Sequence, residues 1–396
     1  MFILLLCYAW FSPSSGQINE RSMTITADEL LTTISNDGRF ACLSCNTTDF
    51  SKRFNCELKI GQWLANDSIA VDNECRFSHY MKVRDGQELD GKRKGIDFLA
   101  RGNKIVVHSI RNVDGKKKLI IKTFDVRTCH FYSSEYTHIE GKDPPNRLIE
   151  LGDGFGVFTA DEEICKQTHE TLFGSGISKC IVIHDENGSR TNESILLPFG
   201  SKPIEKITPI LDGVESKGII LSRWDNLQID ALYISEFETK GIISWLPTES
   251  EYIVAGAKNS VTFCGRTHYI FCVQYIIGSN GEFHISHSKI MINNSSGVVS
   301  MNAFNLEQYG FWLLTVEKRD EDRTYLKLVE VFHNKQKNIL FDEEILDIDE
   351  NTIAELKITD AGEKYCSHLL ESSNYKNWRY FNIHFRRYCR PKVSLD

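Results

Sequence analysis

Short β-rich runs recur in pairs along this 396-residue chain. Each run is rich in Val, Ile, Phe and Tyr, and a polar or glycine-containing turn joins the two members of a pair, which is the pattern of a β-hairpin. Segments with helical periodicity are nearly absent, so the sequence predicts an all-β protein. The clearest hairpins pair residues 104–110 with 118–126, 218–224 with 230–237, 269–277 with 282–291, and 311–318 with 325–332.

The hairpin unit repeats at a fairly regular spacing. In each unit we mark the strand that looks innermost, an apolar run after a glycine or turn: Phe40, Phe98, Phe155, Ile219, Val261, Phe311 and Ala354. Their mean separation of about 52 residues is close to the length of a four-stranded propeller blade. The sequence therefore predicts a single β-propeller of about seven four-stranded blades, with six as the near alternative. A pair of sandwich domains or a β-helix would also produce alternating hairpins.

A propeller must close its ring so that no sheet edge is left exposed. Either the segment after Gln17 or the C-terminal run from Trp378 to Cys389 is expected to add a strand to the last blade.

Three glycines crowd into the stretch from Leu151 to Phe158, LGDGFGVF. A dinucleotide-binding loop needs a further glycine where Val157 stands and a helix after it, and both are missing. We interpret these glycines as a tight turn with positive φ before an inner strand.

The first sixteen residues predict a secretory signal peptide. An apolar run from Phe2 to Phe11 is followed by Pro13 and small residues that end at Gly16. Ten apolar residues are too few to cross a bilayer, and no later window is long and apolar enough to do so. We expect cleavage after Gly16, a propeller domain over residues 17–396, and a soluble, secreted, extracellular protein.

N-glycosylation sequons agree with a secretory route. Six asparagines stand two residues before a Ser or Thr with no proline between: Asn46, Asn66, Asn187, Asn192, Asn293 and Asn294. The last two are adjacent, so we do not expect both to carry a glycan.

Eleven cysteines remain after the predicted cleavage, so in an oxidising compartment at least one is left over. We expect this odd cysteine to be a buried free thiol, and the alternative is an intermolecular disulfide. The pairing among Cys42, Cys45, Cys56, Cys75 and Cys129 stays open. Three local pairs suit the stapling of neighbouring strands: Cys165 with Cys180, Cys264 with Cys272, and Cys366 with Cys389.

The net charge of −8 is spread along the chain, which argues against nucleic acid as a partner. Basic clusters at 92–94 and 116–118 lie close to acidic residues and are interpreted as solvated turns. Sulfated polysaccharide is the alternative partner for these clusters.

Motifs that would carry catalysis are incomplete. The stretch beginning His169-Glu170 has Phe173 where a zinc protease needs its second histidine, and Gly174-Ser175-Gly176 lacks the setting of a nucleophile elbow. We therefore predict no catalytic or cofactor-binding residue.

One acidic stretch could bind calcium. Asp347, Asp349 and Asn351 offer oxygen ligands at alternate positions, and Glu355 lies within reach. Thr352 and Ile358 replace the glycine and the bidentate acid of a helix-loop-helix site, so only a looser site between strands is considered. Apart from this calcium, no cofactor is expected.

Two functional hypotheses follow. The first is a non-enzymatic secreted binding protein, a glycosylated propeller that presents loops to an extracellular protein, glycan or small ligand. The alternative is an extracellular calcium-dependent hydrolase or lactonase whose residues converge on the axis from several blades. An axial cluster of Asp, Glu, Asn and His would favour the enzyme, and an apolar axis would favour the binding protein.

Overall fold

The structure is a computed structural model, and it describes these parts of the chain: 19–27, 29–35, 38–48, 53–64, 69–79, 94–99, 104–113, 116–137, 148–151, 154–159, 163–165, 179–185, 187–197, 204–212, 215–225, 228–235, 239–246, 251–279, 281–294, 297–306, 310–319, 323–332, 336–345, 353–361, 364–374 and 380–391.

Almost all of the described chain is β-strand, with one turn of helix at 163–165. The strand nearest the N terminus is β1 (Asn19–Thr26). Blade 1 contains β2 (Glu29–Ile34), β3 (Phe40–Thr48), β4 (Arg53–Trp63) and β5 (Ile69–His79). Blade 2 contains β6 (Lys94–Leu99), β7 (Lys104–Val113), β8 (Lys116–Asp125) and β9 (Phe131–Thr137). Blade 3 contains β10 (Leu148–Leu151), β11 (Gly154–Thr159), β12 (Cys180–His184) and β13 (Arg190–Leu196).

The second half of the chain continues the same pattern. Blade 4 contains β14 (Lys206–Asp212), β15 (Glu215–Asp225), β16 (Gln228–Ile234) and β17 (Thr239–Ser244), and blade 5 contains β18 (Tyr252–Ala257), β19 (Ser260–Arg266), β20 (Tyr269–Ile277) and β21 (Phe283–Asn294). Blade 6 contains β22 (Val298–Asn305), β23 (Gly310–Arg319), β24 (Arg323–Phe332) and β25 (Lys337–Ile345). Blade 7 contains β26 (Ile353–Ala361), β27 (Lys364–Asn374) and β28 (Tyr380–Pro391), together with β1.

These strands form seven antiparallel sheets of four strands each, which are the blades of a seven-bladed β-propeller. The predicted fold class is confirmed, and the six-bladed alternative is wrong. The four hairpins that the sequence marks most clearly are β7–β8, β15–β16, β20–β21 and β23–β24.

The ring closes in the last blade, where the two ends of the chain meet. Strand β1 pairs along its whole length with β28, from Asn19 opposite Arg387 to Thr26 opposite Tyr380. Blade 7 therefore takes its outermost strand from the N-terminal segment and its third strand from the C-terminal segment. Both segments that the sequence offers for closure contribute to the same blade.

Five of the seven marker residues do not lie on an innermost strand, which corrects the sequence interpretation. The strand nearest the axis is the first of each blade, because these first strands contact one another around the ring. Of the markers, only Phe98 and Ala354 lie on first strands. The others lie on second strands: Phe40, Phe155, Ile219, Val261 and Phe311.

The physical reason is burial on both faces. A second strand is packed between the sheets of two neighbouring blades, so the first eight residues of β23 and the first six of β19 are all buried. A strand buried on both faces reads as a continuous apolar run. In the first strand β18, by contrast, only Tyr252 is fully buried.

Two glycines in second strands have a backbone conformation that other residues rarely adopt. Gly218 has a φ of 154° and Gly310 a φ of 137°, and a Cβ on Gly310 would lie 1.8 Å from the carbonyl oxygen of Val331. The positive φ predicted within LGDGFGVF is wrong for Gly154 and Gly156, which lie inside strand β11.

Close packing explains these two glycines instead. A Cβ on Gly154 would lie 2.1 Å from the carbonyl oxygen of His184, and one on Gly156 would lie 2.5 Å from Cγ2 of Ile181. Their missing side chains allow β11 to pack against its neighbours. Gly152 lies outside the described residues.

A fully buried histidine joins blades 2 and 3. Nδ1 of His184 lies 3.1 Å from the carbonyl oxygen of Gly188, and Nε2 lies 2.5 Å from the hydroxyl of Tyr136. Since a carbonyl can only accept, Nδ1 carries the proton and the Tyr136 hydroxyl donates to Nε2. The ring stacks on Phe155 with centroids 4.6 Å apart. Burial lowers the pKa of His184, so the ring is neutral.

This arrangement predicts a loss of stability in acid. Because the pKa of His184 is lower in the folded chain than its ordinary value, the unfolded chain binds the proton first. The stabilising contribution is complete above about pH 6.5 and is lost as the pH falls below it. We expect the melting temperature of the wild type to fall more between pH 8 and pH 5.5 than that of His184→Gln, as measured by scanning calorimetry.

Exposed histidines such as His130 and His268 are present in both proteins, so the difference isolates His184. An equal fall in both proteins would show that His184 does not cause the acid sensitivity.

Candidate binding groove at the ring closure

The interface between blades 7 and 1 combines apolar packing with a group of polar side chains. Its buried apolar side chains are Ile34, Phe40, Cys42, Leu370, Ile383 and Phe385. The described residues thus include six buried apolar side chains at this interface and thirteen in the cluster between blades 4 and 5. Five partly buried apolar side chains pack against this cluster as well, namely Met23, Ile25, Leu30, Trp63 and Ile69, so the closure of the ring has an apolar core.

A polar groove of about 720 Å³ lies between strand β1 and the face of blade 1 that is turned towards blade 7. Successive side chains of a strand point to opposite faces of the sheet. On β3, Ser44 and Asn46 therefore point into the groove, while Leu43 and Cys45 pack on the other face against blade 2. Its lining consists of Thr24, Ile25 and Thr26 from β1, Ser44 and Asn46 from β3, Asn55, Cys56, Glu57 and Lys59 from β4, and Arg76 from β5.

Two acids and two bases pair with one another on this face. Nζ of Lys59 lies 3.0 Å from Oε2 of Glu57. Nη2 of Arg76 lies 3.1 Å from Oε1 of Glu57 and 2.6 Å from Oε1 of Glu74. The Arg76 side chain is 77% exposed, so these pairs contribute little to stability and serve mainly to place charged groups at the groove.

The charges balance within this cluster. Burial acts to raise the pKa of Glu57, but contacts with Glu74, Lys59 and Arg76 outweigh burial and hold the pKa below its ordinary value. The hydrogen bond to Glu74 raises the pKa of Arg76. Glu57, Lys59 and Arg76 line the groove and Glu74 pairs with Arg76 beside it, so the groove offers many hydrogen-bond donors and acceptors in a cluster whose charges balance.

The free thiol lies at the inner part of the same interface. Of the cysteines in the described residues, Cys42 is the one outside a disulfide, and it is 1% exposed. Burial raises the pKa of its thiol to about 12. Such a thiol is protonated at neutral pH and is out of reach of another chain.

Five disulfides connect the remaining described cysteines. The three pairs that the sequence proposes are present: Cys165–Cys180 in blade 3, Cys264–Cys272 in blade 5 and Cys366–Cys389 in blade 7. The pairs that the sequence left open are Cys45–Cys56 and Cys75–Cys129.

Three of the disulfides repeat one structural device. Cys45–Cys56, Cys264–Cys272 and Cys366–Cys389 each join directly opposite residues on the second and third strands of a blade, with Cα atoms 4.1 Å apart. Cys75–Cys129 is different, because it links β5 of blade 1 to the turn before β9 of blade 2. It therefore ties two blades together.

The predicted glycosylation sites are scattered over the molecule. Asn46 lines the groove on β3, and Asn187 in the β12–β13 turn and Asn192 on β13 are exposed. The backbone of Asn293 and Asn294 ends strand β21. Asn66 lies outside the described residues.

The proposed calcium ligands are not placed by the structure. Asp347, Asp349 and Asn351 lie outside the described residues, and Glu355 belongs to strand β26 with its side chain outside them. Within the described parts of the chain, no group of three or more His, Cys, Asp or Glu side chains could hold a metal ion. The calcium site stays a prediction, and so does the hydrolase or lactonase alternative.

The described side chains of the first strands include few groups that could act in catalysis. Among their described side chains Glu150 is the single carboxylate, and Asn305 is buried with its amide bonded to the carbonyl oxygens of Ala255 and Ser260. Its Oδ1 accepts from the Thr262 hydroxyl at 2.6 Å. Asn305 therefore joins strands of blades 5 and 6.

Neither a protein-family model nor a curated protein matches this sequence. Solved structures with a similar fold include the S. cerevisiae core factor, with a TM-score of 0.46 and 11% identity over 96% of this chain and 62% of that chain. The propeller domain of the Trilobed protease from Pyrococcus furiosus has a TM-score of 0.46 and 10% identity, over 90% of this chain and 94% of that chain. The Pyrococcus horikoshii acylaminoacyl peptidase has a TM-score of 0.42 and 12% identity, over 88% of this chain and 49% of that chain.

The chain thus spans less than two thirds of the core factor chain and about half of the peptidase chain. Identities this low carry no information on function. In the described parts of this chain, no helix is long and apolar enough to cross a membrane.

The buried thiol leads to a simple prediction. The chain without its predicted signal peptide should show no reaction with a thiol reagent while folded, because Cys42 is buried and protonated. Unfolding in denaturant without a reductant should expose one thiol per chain. Absorbance titration with a chromogenic disulfide reagent measures both values. A count of zero after unfolding, together with a dimer that reductant dissociates, would contradict the assignment.

Proposed function

We propose that this chain is a secreted, N-glycosylated binding protein that uses loops on one face of its propeller to hold an extracellular protein, glycan or small ligand. Five disulfides support the extracellular part of the proposal, because disulfides persist in oxidising compartments and are rare in the cytosol. Exposed sequons at Asn46, Asn187 and Asn192 are compatible with passage through the secretory route.

One exposed tryptophan is the observation that carries the binding part. Trp245 is 70% exposed, whereas its neighbours Ser244 and Leu246 are buried. The backbone N–H of Leu246 donates to the carbonyl oxygen of Ser244 at 3.0 Å, so the segment that displays the indole is anchored on both sides. Large aromatic side chains are usually well buried, and tryptophan is enriched among the residues that dominate binding energy at interfaces.

Trp245 shares its face of the propeller with other exposed side chains. It lies in the connection that leads from β17 to the start of β18. Because β18 and β19 are antiparallel, the end of β19 lies beside the start of β18, and the turn from β19 to β20 is therefore on the same face. That turn exposes His268 and Tyr269. An ion pair joins Arg266 at the end of β19 to Glu251 just before β18.

The test is a comparison of two exposed apolar residues. Trp245→Ala is the test variant, and Ile339→Ala is the matched control, since Ile339 is 61% exposed but lies on the outermost strand of blade 6. Wild-type protein from the medium of a secretory host, with its N terminus checked by mass spectrometry for Gln17, is applied to arrays of glycans and extracellular proteins. Bound ligands are then titrated by surface plasmon resonance.

We expect Trp245→Ala to weaken binding at least tenfold, because loss of a central aromatic anchor costs about 2 kcal/mol or more. The Ile339→Ala protein should bind like the wild type. Retention of the wild type inside the cell would overturn the secreted part of the proposal. Equal affinity of both variants for every ligand would overturn the role of this face.

A further inference from the structure

We infer that the groove between strand β1 and blade 1 seats the first sugars of an N-glycan on Asn46, and that this glycan stabilises the closure of the ring. The inference rests on the proposed secretory route. Its starting point is the position of Asn46, which lines the groove on β3. Nδ2 of Asn46 donates to the carbonyl oxygen of Thr26 on β1 at 3.4 Å, so the amide that would carry the sugar already faces the opposite wall.

The chemistry of glycan transfer is compatible with this contact. Nδ2 of Asn46 attacks the anomeric carbon of an oligosaccharide carried on a lipid pyrophosphate, the bond from that carbon to the pyrophosphate oxygen breaks, and the pyrophosphate leaves. One amide proton passes to a base of the transferase. The glycosylated nitrogen keeps its other proton, which can still be donated to Thr26. Because the new bond starts from the groove lining, the first sugar is attached at the groove.

Size and polarity of the groove fit a carbohydrate. Its volume of about 720 Å³ lies within the range of about 300–1,000 Å³ that is usual for small-molecule sites. Apart from Ile25 and Cys56, its lining is made of hydroxyl, amide and charged side chains. Such groups both donate and accept hydrogen bonds, as the hydroxyls of a neutral sugar require.

Two other sequons, at Asn187 and Asn192, lie away from this groove. Asn187 is exposed in the hairpin between β12 and β13, and Asn192 is exposed on the outermost strand of blade 3. Neither residue lines the groove. A glycan on Asn187 or Asn192 therefore serves as an internal control for the effects of glycosylation in general.

A seated glycan would act on the strand that closes the ring. Like the outermost strand of every blade, β1 has a single strand neighbour, β28, and it faces blade 1 across the groove. Sugars that contact Thr24 and Thr26 on one wall and Asn55 and Arg76 on the other would bridge β1 to blade 1. Opening of the ring at β1 would then require these contacts to break.

The experiment removes one glycan without changing Asn46. Thr48→Ala destroys the Asn46 sequon but keeps the asparagine, Thr48→Ser keeps the sequon, and Ser189→Ala removes the sequon of Asn187 as the matched control. All proteins are secreted from one host, and site occupancy is measured by glycopeptide mass spectrometry. Melting temperature and hydrogen exchange of the β1 peptide are then compared.

We expect Thr48→Ala to melt about 2–4 °C below Thr48→Ser and to exchange faster in β1. Ser189→Ala should match the wild type in both readouts. An endoglycosidase that leaves one sugar on each asparagine should preserve most of the stability, because the first sugar is the one that the groove holds.

The outcomes separate this inference from the proposed function. An occupied Asn46 with equal stability of Thr48→Ala and Thr48→Ser would overturn the seating of the glycan. An unoccupied Asn46 in a secreted protein that is glycosylated elsewhere would also overturn it and leave the proposed function standing. A protein without any glycan would overturn both.

Discussion

The pairing of β1 with β28 is the interaction on which the rest of the structure depends. Seven blades form a stable ring only if the last blade meets the first, and this chain completes blade 7 with a strand from its other end. Eight residues of β1 pair with β28, and they cover an edge that would otherwise present unpaired backbone groups. The ends of the described chain are thereby held in one sheet, and every blade has a neighbour on each side.

Closure by a separate strand gives the interface between blades 7 and 1 a character of its own. The apolar side chains there, with Phe40 and Phe385 4.3 Å apart between ring centroids, are supplemented by a polar groove farther out. Disulfides pin the second and third strands in both blades that flank this interface, through Cys45–Cys56 and Cys366–Cys389. These disulfides and the proposed Asn46 glycan would thus both support the part of the ring where the two ends of the described chain meet.

Sequence reasoning predicted the number of blades but placed most markers one strand too far inward. The strongest apolar runs belong to second strands, since these strands are buried on both faces, whereas first strands such as β18 are only partly buried. The three predicted disulfides join cysteines that are close in sequence and belong to one blade. Cys45–Cys56 is equally local but stayed open, because Cys42 is a competing candidate three residues away. Cys75–Cys129 could not be predicted, because it joins two blades whose packing the sequence does not display.

The groove was beyond prediction for a similar reason. Ser44, Asn46, Glu57 and Lys59 alternate with apolar residues, which in sequence is indistinguishable from a strand face open to solvent. Only the closure of the ring brings β1 opposite them. Trp245 was also missed, because an apolar residue at the end of a strand-like run predicts burial, and its exposure depends on the buried side chains around it.

Hydrogen exchange followed by mass spectrometry tests this account of the ring most directly. The account predicts that amides of β1 and β28 are protected well above the level of an unfolded peptide but exchange before those of β23 and β24, because the closing pair joins the two ends of the described chain and can separate without opening another blade. Exchange of β1 at the rate of an unfolded peptide, or earlier opening at another pair of blades, would contradict it.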